Sequence, residues 1–398
     1  MWWRGLTATA VLWGGGIVTL RAVVVPGEVC EPVEVTETRA AAVAAADWID
    51  RGQYSDGSYL YEYNRDTDER INLGYNIVRH AGVTMSLYQM AFEGEGIYLA
   101  PADEGLGWME ERLERREDWA AIADNSGDLR LGANALMLAG LVFRRDATDE
   151  ASRDDLMREI GRFLVRLQQP DGSFVDRWRQ GDDGPYLELK SKYATGEAFW
   201  ALAMMHNRFP GEGWDEPAIK VADYLSLYRD ELEGFEFPPW ADQWAAYGLH
   251  EMVDWPLSDD NITYARSLAD RFGFLIRTEA QRSDADWYEF VHGRKTRAAG
   301  MGTWVEGLNS LWVIASNDER MADMEGEIGD RIACGTAMLA ERQEPAGTGG
   351  AGATIDGGRD AISGGWFTEG VTRMDDQQHA ISALLDAEAA LRAREGDE

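Results

Sequence analysis

The sequence predicts an all-α protein, an (α/α)6 toroid of six helical hairpins preceded by an N-terminal hydrophobic segment. Three observations predict it. Segments apolar nearly all round alternate with amphipathic acidic ones, a glutamine-centred motif recurs, and the recurrence keeps a period of ~58 residues. With 398 residues, 45% of them hydrophobic, the chain holds enough apolar material for one such ring. We divide it into residues 1–30, a signal or anchor segment with a linker, and residues 31–398, the toroid domain.

The amino terminus is a separate case. Between Arg4 and Arg21 runs GLTATAVLWGGGIVTL, sixteen uncharged residues, followed by AVVV and Pro26. This reads as a signal sequence or membrane anchor. It is short for a free-standing span of ~20 residues, no twin arginine precedes it, and no good small-x-small cleavage site follows, so a buried helix is a third reading. The leading expectation is attachment through residues 5–25 with the Arg4 end inside, placing the body outside the cytoplasm; secretion is the alternative. Cys30 and Cys334 can pair only if the fold brings their Cα atoms within roughly 7 Å.

Residues 48–59 (WIDRGQYSDGSY), 163–174 (FLVRLQQPDGSF) and 338–349 (MLAERQEPAGTG) fit one template: two apolar residues, three of any kind, Gln, three of any kind, Gly. The first two copies add an aromatic, Tyr59 and Phe174. Gln53, Gln168 and Gln343 lie 115 and 175 residues apart, close to two and three of the ~58-residue units. Degenerate copies are expected near 111, 226 and 285. Each unit pairs an amphipathic outer helix, such as RDDLMREIGRFLVRLQ, with an inner helix apolar on every side, which must be surrounded by protein. The inner helices are expected over 75–92, 129–143, 193–205, 240–253, 302–314 and 376–391. The Gly-rich stretch 345–365 is expected to loop over one mouth. An open solenoid of hairpins is the alternative architecture.

Charge excludes a class of partner. With 71 acidic and 38 basic side chains the net charge is -33, which repels phosphate backbones, so no nucleic-acid partner is expected. The bases are 34 Arg and only 4 Lys, a bias resembling that of proteins adapted to molar salt, where the Debye length falls to roughly 3 Å. No CxxC or Cys/His zinc spacing occurs, and no GxxxxGK loop. Asp66 and Asp68 in NRDTDER lack the glycine of an EF-type calcium loop. No metal or cofactor is expected.

The F/W-L/I-xxx-Q-xxx-G-x-F/Y pattern resembles the QW repeat of the terpenoid cyclase and protein prenyltransferase toroids. The resemblance implies an architectural role, the Gln tying the end of an outer helix and the aromatic packing on the next unit. Its chemistry does not carry over: there is no DxDD acid motif, and neither cysteine has a zinc prenyltransferase neighbourhood. Within six-hairpin toroids this leaves the carbohydrate-active group.

In such a ring the inner helices start at one mouth, where their positive ends and first-turn side chains converge. Polar residues there cost several kcal/mol if buried unpaired, so they are the candidates. His80, Glu197, Asp242, Glu306, Asp376 and His379 are the candidate acid/base residues. Tyr75, Asn76, Arg79, Tyr193, Trp240, Trp304 and Gln378 are the candidate substrate contacts, with Arg79 as an anion anchor. Asp128, Arg130, Asn134, Lys192, Gln243, Thr303, Arg373 and Asp375 start inner helices at equivalent depth. The competing structural readings are that the histidines satisfy a helix end or an outer-helix carbonyl, and that Glu197 pairs with Arg79 or Lys192. The expected function is acid/base chemistry (epimerase, lyase or hydrolase) on a cell-surface or lipid-linked glycan, with Arg79, His80 and the tyrosines favouring a uronate. A terpenoid-cyclase-like enzyme on a lipid and a non-catalytic scaffold are the rivals.

Overall fold

The computed structural model describes residues 2–21, 25–186, 190–282, 286–345, 354–355 and 359–396. After α1 (Trp2–Thr19) come six hairpins: α2 (Val35–Arg51) with α3 (Ile77–Phe92), α4 (Leu99–Glu110) with α5 (Leu131–Thr148), and α6 (Asp154–Leu167) with α7 (Ala194–Arg208). α8 (Asp215–Leu227) leads through short α9 (Arg229–Glu233) to α10 (Gln243–Glu251). α11 (Asp259–Ala280) leads through short α12 (Asp286–His292) to α13 (Ala298–Asn317), and α14 (Glu325–Arg342) pairs with α15 (Met374–Glu395). The second helices pack in the order α3, α5, α7, α10, α13, α15, and α15 returns to α3, so the ring is closed. The open solenoid is excluded.

The division into outer and inner helices follows from their patterning. α6 buries Leu156, Met157, Ile160, Phe163, Leu164 and Leu167 at helical spacing and leaves its charged face to solvent. α5 is buried at every position from Leu131 to Val142, as a helix inside a ring must be. The inner helices begin where polar side chains cap them. Asn76 Oδ1 accepts from Val78 N at 2.8 Å, and Asp242 Oδ1 from Trp244 N at 3.1 Å, so α10 starts three residues later than periodicity suggests.

The repeated glutamine closes the outer layer. Gln53 Nε2 donates to Pro101 O (2.9 Å) in α4, Gln168 Nε2 to Pro217 O (2.9 Å) in α8, and Gln343 Nε2 to Ala41 O (2.8 Å) in α2. Each motif ties the end of one outer helix to the first turns of the next, and the last of them joins the final outer helix to the first. The motif glycines Gly57 and Gly172 have φ of +84° and +90°, and a Cβ on them would lie 2.2 and 2.1 Å from the carbonyl oxygens of Glu104 and Lys220. Gly347, the third template glycine, lies outside the described residues; Gly364, 2.2 Å by the same construction from Ala44 O, fills the equivalent place.

Strands were not expected. β1 (Glu62–Asn64), β2 (Glu69–Ile71), β3 (Leu113–Arg115), β4 (Ala120–Ile122), β5 (Asp128–Arg130), β6 (Arg177–Arg179), β7 (Thr354–Ile355), β8 (Arg359–Asp360) and β9 (Val371–Arg373) all lie on connections from outer to inner helices. They pair antiparallel as β2-β1-β9, β3-β4, β5-β6 and β7-β8, with Tyr63 opposite both Arg70 and Thr372. Two or three residues are too few for an alternating pattern to register in sequence. The Asp66–Asp68 string is the β1–β2 turn, Asp128 and Arg130 belong to β5 rather than an inner helix, and the expected copy near 111 ends in β3. Position 285 and residues 346–353 and 356–358 of the expected mouth loop lie outside the described residues.

Cys30 and Cys334 are disulfide-bonded, with Cα atoms 4.9 Å apart. The bond fixes the linker to α14, and Glu28 forms ion pairs with Arg277 (3.1 Å) and Arg331. α1 leaves Val11, Leu12 and Trp13 exposed. Among the described residues no helix is long and apolar enough to cross a membrane.

Candidate active site

A cavity of about 740 Å³ opens where the inner helices begin. Its aromatic wall comprises Tyr193, Trp240, Trp244 and Trp304, its carboxyl groups are Asp176, Glu197 and Asp375, and its cations are Arg79, Arg130, Lys190, Arg271 and Arg373. Asn76, Ser191, Gln243, Thr303, Gln378 and His379 complete the polar lining. Of the predicted acid/base residues and substrate contacts, Asn76, Arg79, Tyr193, Glu197, Trp240, Trp304, Gln378 and His379 reach it. Helical spacing groups them, since Asn76 and Arg79 share one side of the start of α3, as Asp375, Gln378 and His379 do on α15.

His379 and Glu306 form a dyad at the cavity wall. The Glu306 oxygens lie 3.1 and 3.0 Å from His379 Nδ1, and Glu306 is fully buried on α13. Paired with the imidazole, the Glu306 carboxylate accepts and Nδ1 donates, with Gln378 Nε2 at 3.3 Å from the same nitrogen, so Nε2 is left for the cavity, with no partner among the described residues. Burial works against the imidazolium, yet the Glu306 carboxylate, aided by Asp375 and Asp376, holds the His379 pKa above its ordinary value.

Glu197 is the second group. It lies in the first turn of α7, buried, with no hydrogen-bond donor to its carboxyl group among the described residues. Neither Arg79 nor Lys192 pairs with it. Its Oε2 occupies the room above Gly132 on α5, where a Cβ would lie 2.0 Å away. Burial, with the nearby Asp242 and Asp176 carboxylates, pushes it up to about 8, so it is a neutral acid at pH 7.

Arg79 is not a free anion anchor. Its Nε donates to Asp375 Oδ2 (3.0 Å) and its Nη1 to Tyr61 OH (2.6 Å), while Arg373 Nη2 donates to the same Asp375 oxygen at 2.8 Å. Despite burial, these contacts hold Asp375 below the usual carboxylate range.

Four of the predicted residues face away from the cavity. His80 is fully buried between α3 and α4, its Nδ1 accepting from Tyr75 OH (2.8 Å), its Nε2 donating to Gly105 O (2.9 Å), and its ring stacked on Trp108 at 4.2 Å. Burial drives its pKa down to about 3, so it is neutral, and Tyr75 is enclosed with it. One residue is 100° of helical turn, which rotates His80 off the face that Arg79 occupies. Asp242 caps α10 and pairs with Arg229, both buried completely or nearly so. Asp376 accepts from Arg373 N (2.9 Å), Ala299 N (3.1 Å) and the Arg297 guanidinium, joining α15 to α13. Helix-start carboxylates thus serve caps and inter-helix ties. Glu306 does not line the cavity itself and meets it only through its hydrogen bond to His379.

Asp176, Lys190 and Arg271 went unforeseen. Asp176 and Lys190 lie on connections, where outer-to-inner loops could have been read as part of the mouth. Arg271 lies on outer helix α11, and no sequence signal marks it. It reaches the cavity beside α10, which at nine residues is the shortest inner helix.

No protein-family model and no curated protein matches the sequence. Solved structures do match in fold. Cellobiose 2-epimerase from Spirochaeta thermophila superposes with a TM-score of 0.61 at 13% identity over 90% of this chain and 98% of its own. An unsaturated glucuronyl hydrolase specific for heparin gives 0.58 at 13% over 91% and 99%, and a family 76 glycoside hydrolase (mannosidase) from Bacteroides thetaiotaomicron gives 0.57 at 13% over 91% and 99%. At these identities the likeness establishes the fold, an α/α toroid of the kind used by glycoside hydrolases and sugar epimerases.

Proposed function

We propose that this chain is a carbohydrate-active enzyme that moves protons at a sugar, by epimerisation or isomerisation beside the sugar carbonyl. One observation carries the reading. An imidazole with Nε2 free for the cavity, oriented by a buried carboxylate, shares that cavity with a carboxyl group held protonated at neutral pH, between indole rings that suit a pyranose face. Nε2 of neutral His379 removes the proton from the carbon next to the carbonyl of the open-chain sugar. The Glu197 carboxyl group gives its proton to the developing enolate oxygen, and return of a proton to carbon yields the epimer or isomer. The neighbour named as an epimerase supports this direction. An open cavity with unpaired polar groups argues against a pure scaffold.

Hydrolysis of a glycosidic bond is the second reading, favoured by the Asp176 carboxylate in the same cavity as Glu197, which burial keeps protonated: a base and an acid in one cavity. The full-length protein is incubated in D2O with mono- and disaccharides, neutral and uronate-containing, and followed by NMR. Deuterium at the carbon beside the carbonyl supports the first reading, and new reducing ends without exchange support the second. Neither product across the panel overturns both.

We also propose that the protein works on glycans at a membrane surface outside the cytoplasm, mouth towards the lipid. Val29 N donates to Ala280 O and Gln281 Nε2 to Pro26 O, each at 3.0 Å, at the mouth end of α11, so apolar α1 departs from that rim. Phe237 and Phe290, each 93% exposed, lie on connections at the same level. A disulfide suits an oxidising compartment. Flotation with lipid vesicles that requires residues 2–21 is the expected result; equal flotation without them removes the proposal.

A further inference from the structure

The cavity inverts the charge of the protein. A chain of net charge -33 lines it with five basic side chains against three carboxyl groups, of which Glu197 is neutral at pH 7. Four of the five cations are engaged. Arg79 and Arg373 share Asp375, Arg130 reaches Asp124 at 2.7 Å, and Lys190 lies 4.0 Å from Glu233. Arg271 is different. It has no ion pair or hydrogen-bond partner among the described residues, and its Nε is buried without one. Its nearest recorded ring, Phe274, is 6.0 Å away, too far for a strong stacking contact. With 71 acidic residues in the chain, scarcity of carboxylates does not explain a lone guanidinium in a cavity wall.

We infer that the cavity takes a glycan bearing an anionic group, a carboxylate or a phosphate ester, and that the Arg271 guanidinium holds that anion. The inference rests on the carbohydrate reading above and names its substrate class. A planar fork of N–H donors matches either oxyanion bidentately, and a partly desolvated charge without a counter-ion is costly until one arrives. Burial alone already pulls the Arg271 pKa below its ordinary value. The bulk field of the protein opposes anions, so a preference for them has to arise locally.

Isothermal titration of the full chain with glucose, glucuronate and glucose 6-phosphate, and with the same three forms of mannose, tests this. We expect an anionic member to bind at least about tenfold more tightly than its neutral counterpart. Arg271→Gln should erase that preference while leaving the affinity for the neutral sugar unchanged and the melting temperature no lower, and Arg271→Lys should keep part of it. Whether uronate or phosphate is preferred identifies the anion. Equal binding of neutral and anionic forms, or a preference that survives in R271Q, overturns the inference and leaves the carbohydrate reading standing. If none of the six binds, both fail.

Discussion

Replacing Glu197 by Gln separates the cost of the unusual carboxyl group from everything else that titrates. In the folded chain its pKa stands at about 8 against an ordinary 4.5, mainly because burial disfavours the charge. At 1.36 kcal/mol per unit the rise corresponds to at most about 5 kcal/mol, and water in the adjoining cavity lowers this to between about 2 and about 5. The folded state holds this proton more tightly than the unfolded state. The contribution of Glu197 to stability is therefore present in full below pH 4.5, is lost progressively as pH rises, and falls no further above pH 8. An amide at this position has no such dependence. Urea unfolding followed by tryptophan fluorescence, at constant salt from pH 4.5 to 9, should show E197Q gaining on the native chain by that amount. Parallel curves, or a gap that widens towards acid, would refute the burial argument and with it the role of Glu197 as a neutral acid.

The pH profile of kcat/KM should be bell-shaped, rising as His379 loses its proton above its ordinary pKa and falling near 8 as Glu197 ionises. Glu306→Gln should move the acidic limb to lower pH, visible in the NMR titration of the His379 ring, while His379→Ala should lower kcat/KM by roughly 10² to 10⁴. His80→Ala should cost about 2 to 4 kcal/mol in urea unfolding, through the lost ring stack and two hydrogen bonds, without moving the pH profile of any residual activity. In Gly132→Ala the new methyl group meets the Glu197 carboxyl group, so activity should fall although no acid or base is removed. Cys334→Ser opens a disulfide with a sequence separation of 304 and should lower stability by up to about 5 kcal/mol, read as a drop in melting temperature.

The architecture was legible because it is periodic. Apolar-all-round helices such as α5 have no stable place except inside a ring, and Gln53, Gln168 and Gln343 recur because each performs the same tie between outer helices. The mouth was legible too, since capped inner helices start there, which is why Asn76, Arg79, Glu197 and His379 could be placed near it, and all four line the cavity. Direction was not. Whether a first-turn residue faces the bore, a neighbouring helix or its own backbone depends on rotations of 100° per residue and on where the cap sets the helix start, and a shift of one position moved His80 into the wall beside α4. Asp242 and Asp376 were taken by caps and by guanidinium groups, the buried one of Arg229 and the half-buried one of Arg297, that lie 13 and 79 residues away in sequence. Arg271 entered the cavity only because α10 is short and α11 packs beside it. Composition and period thus determined the ring and the end at which chemistry could collect. Tertiary packing decided which charges were neutralised, because pairing depends on distance in space and sequence spacing does not record it.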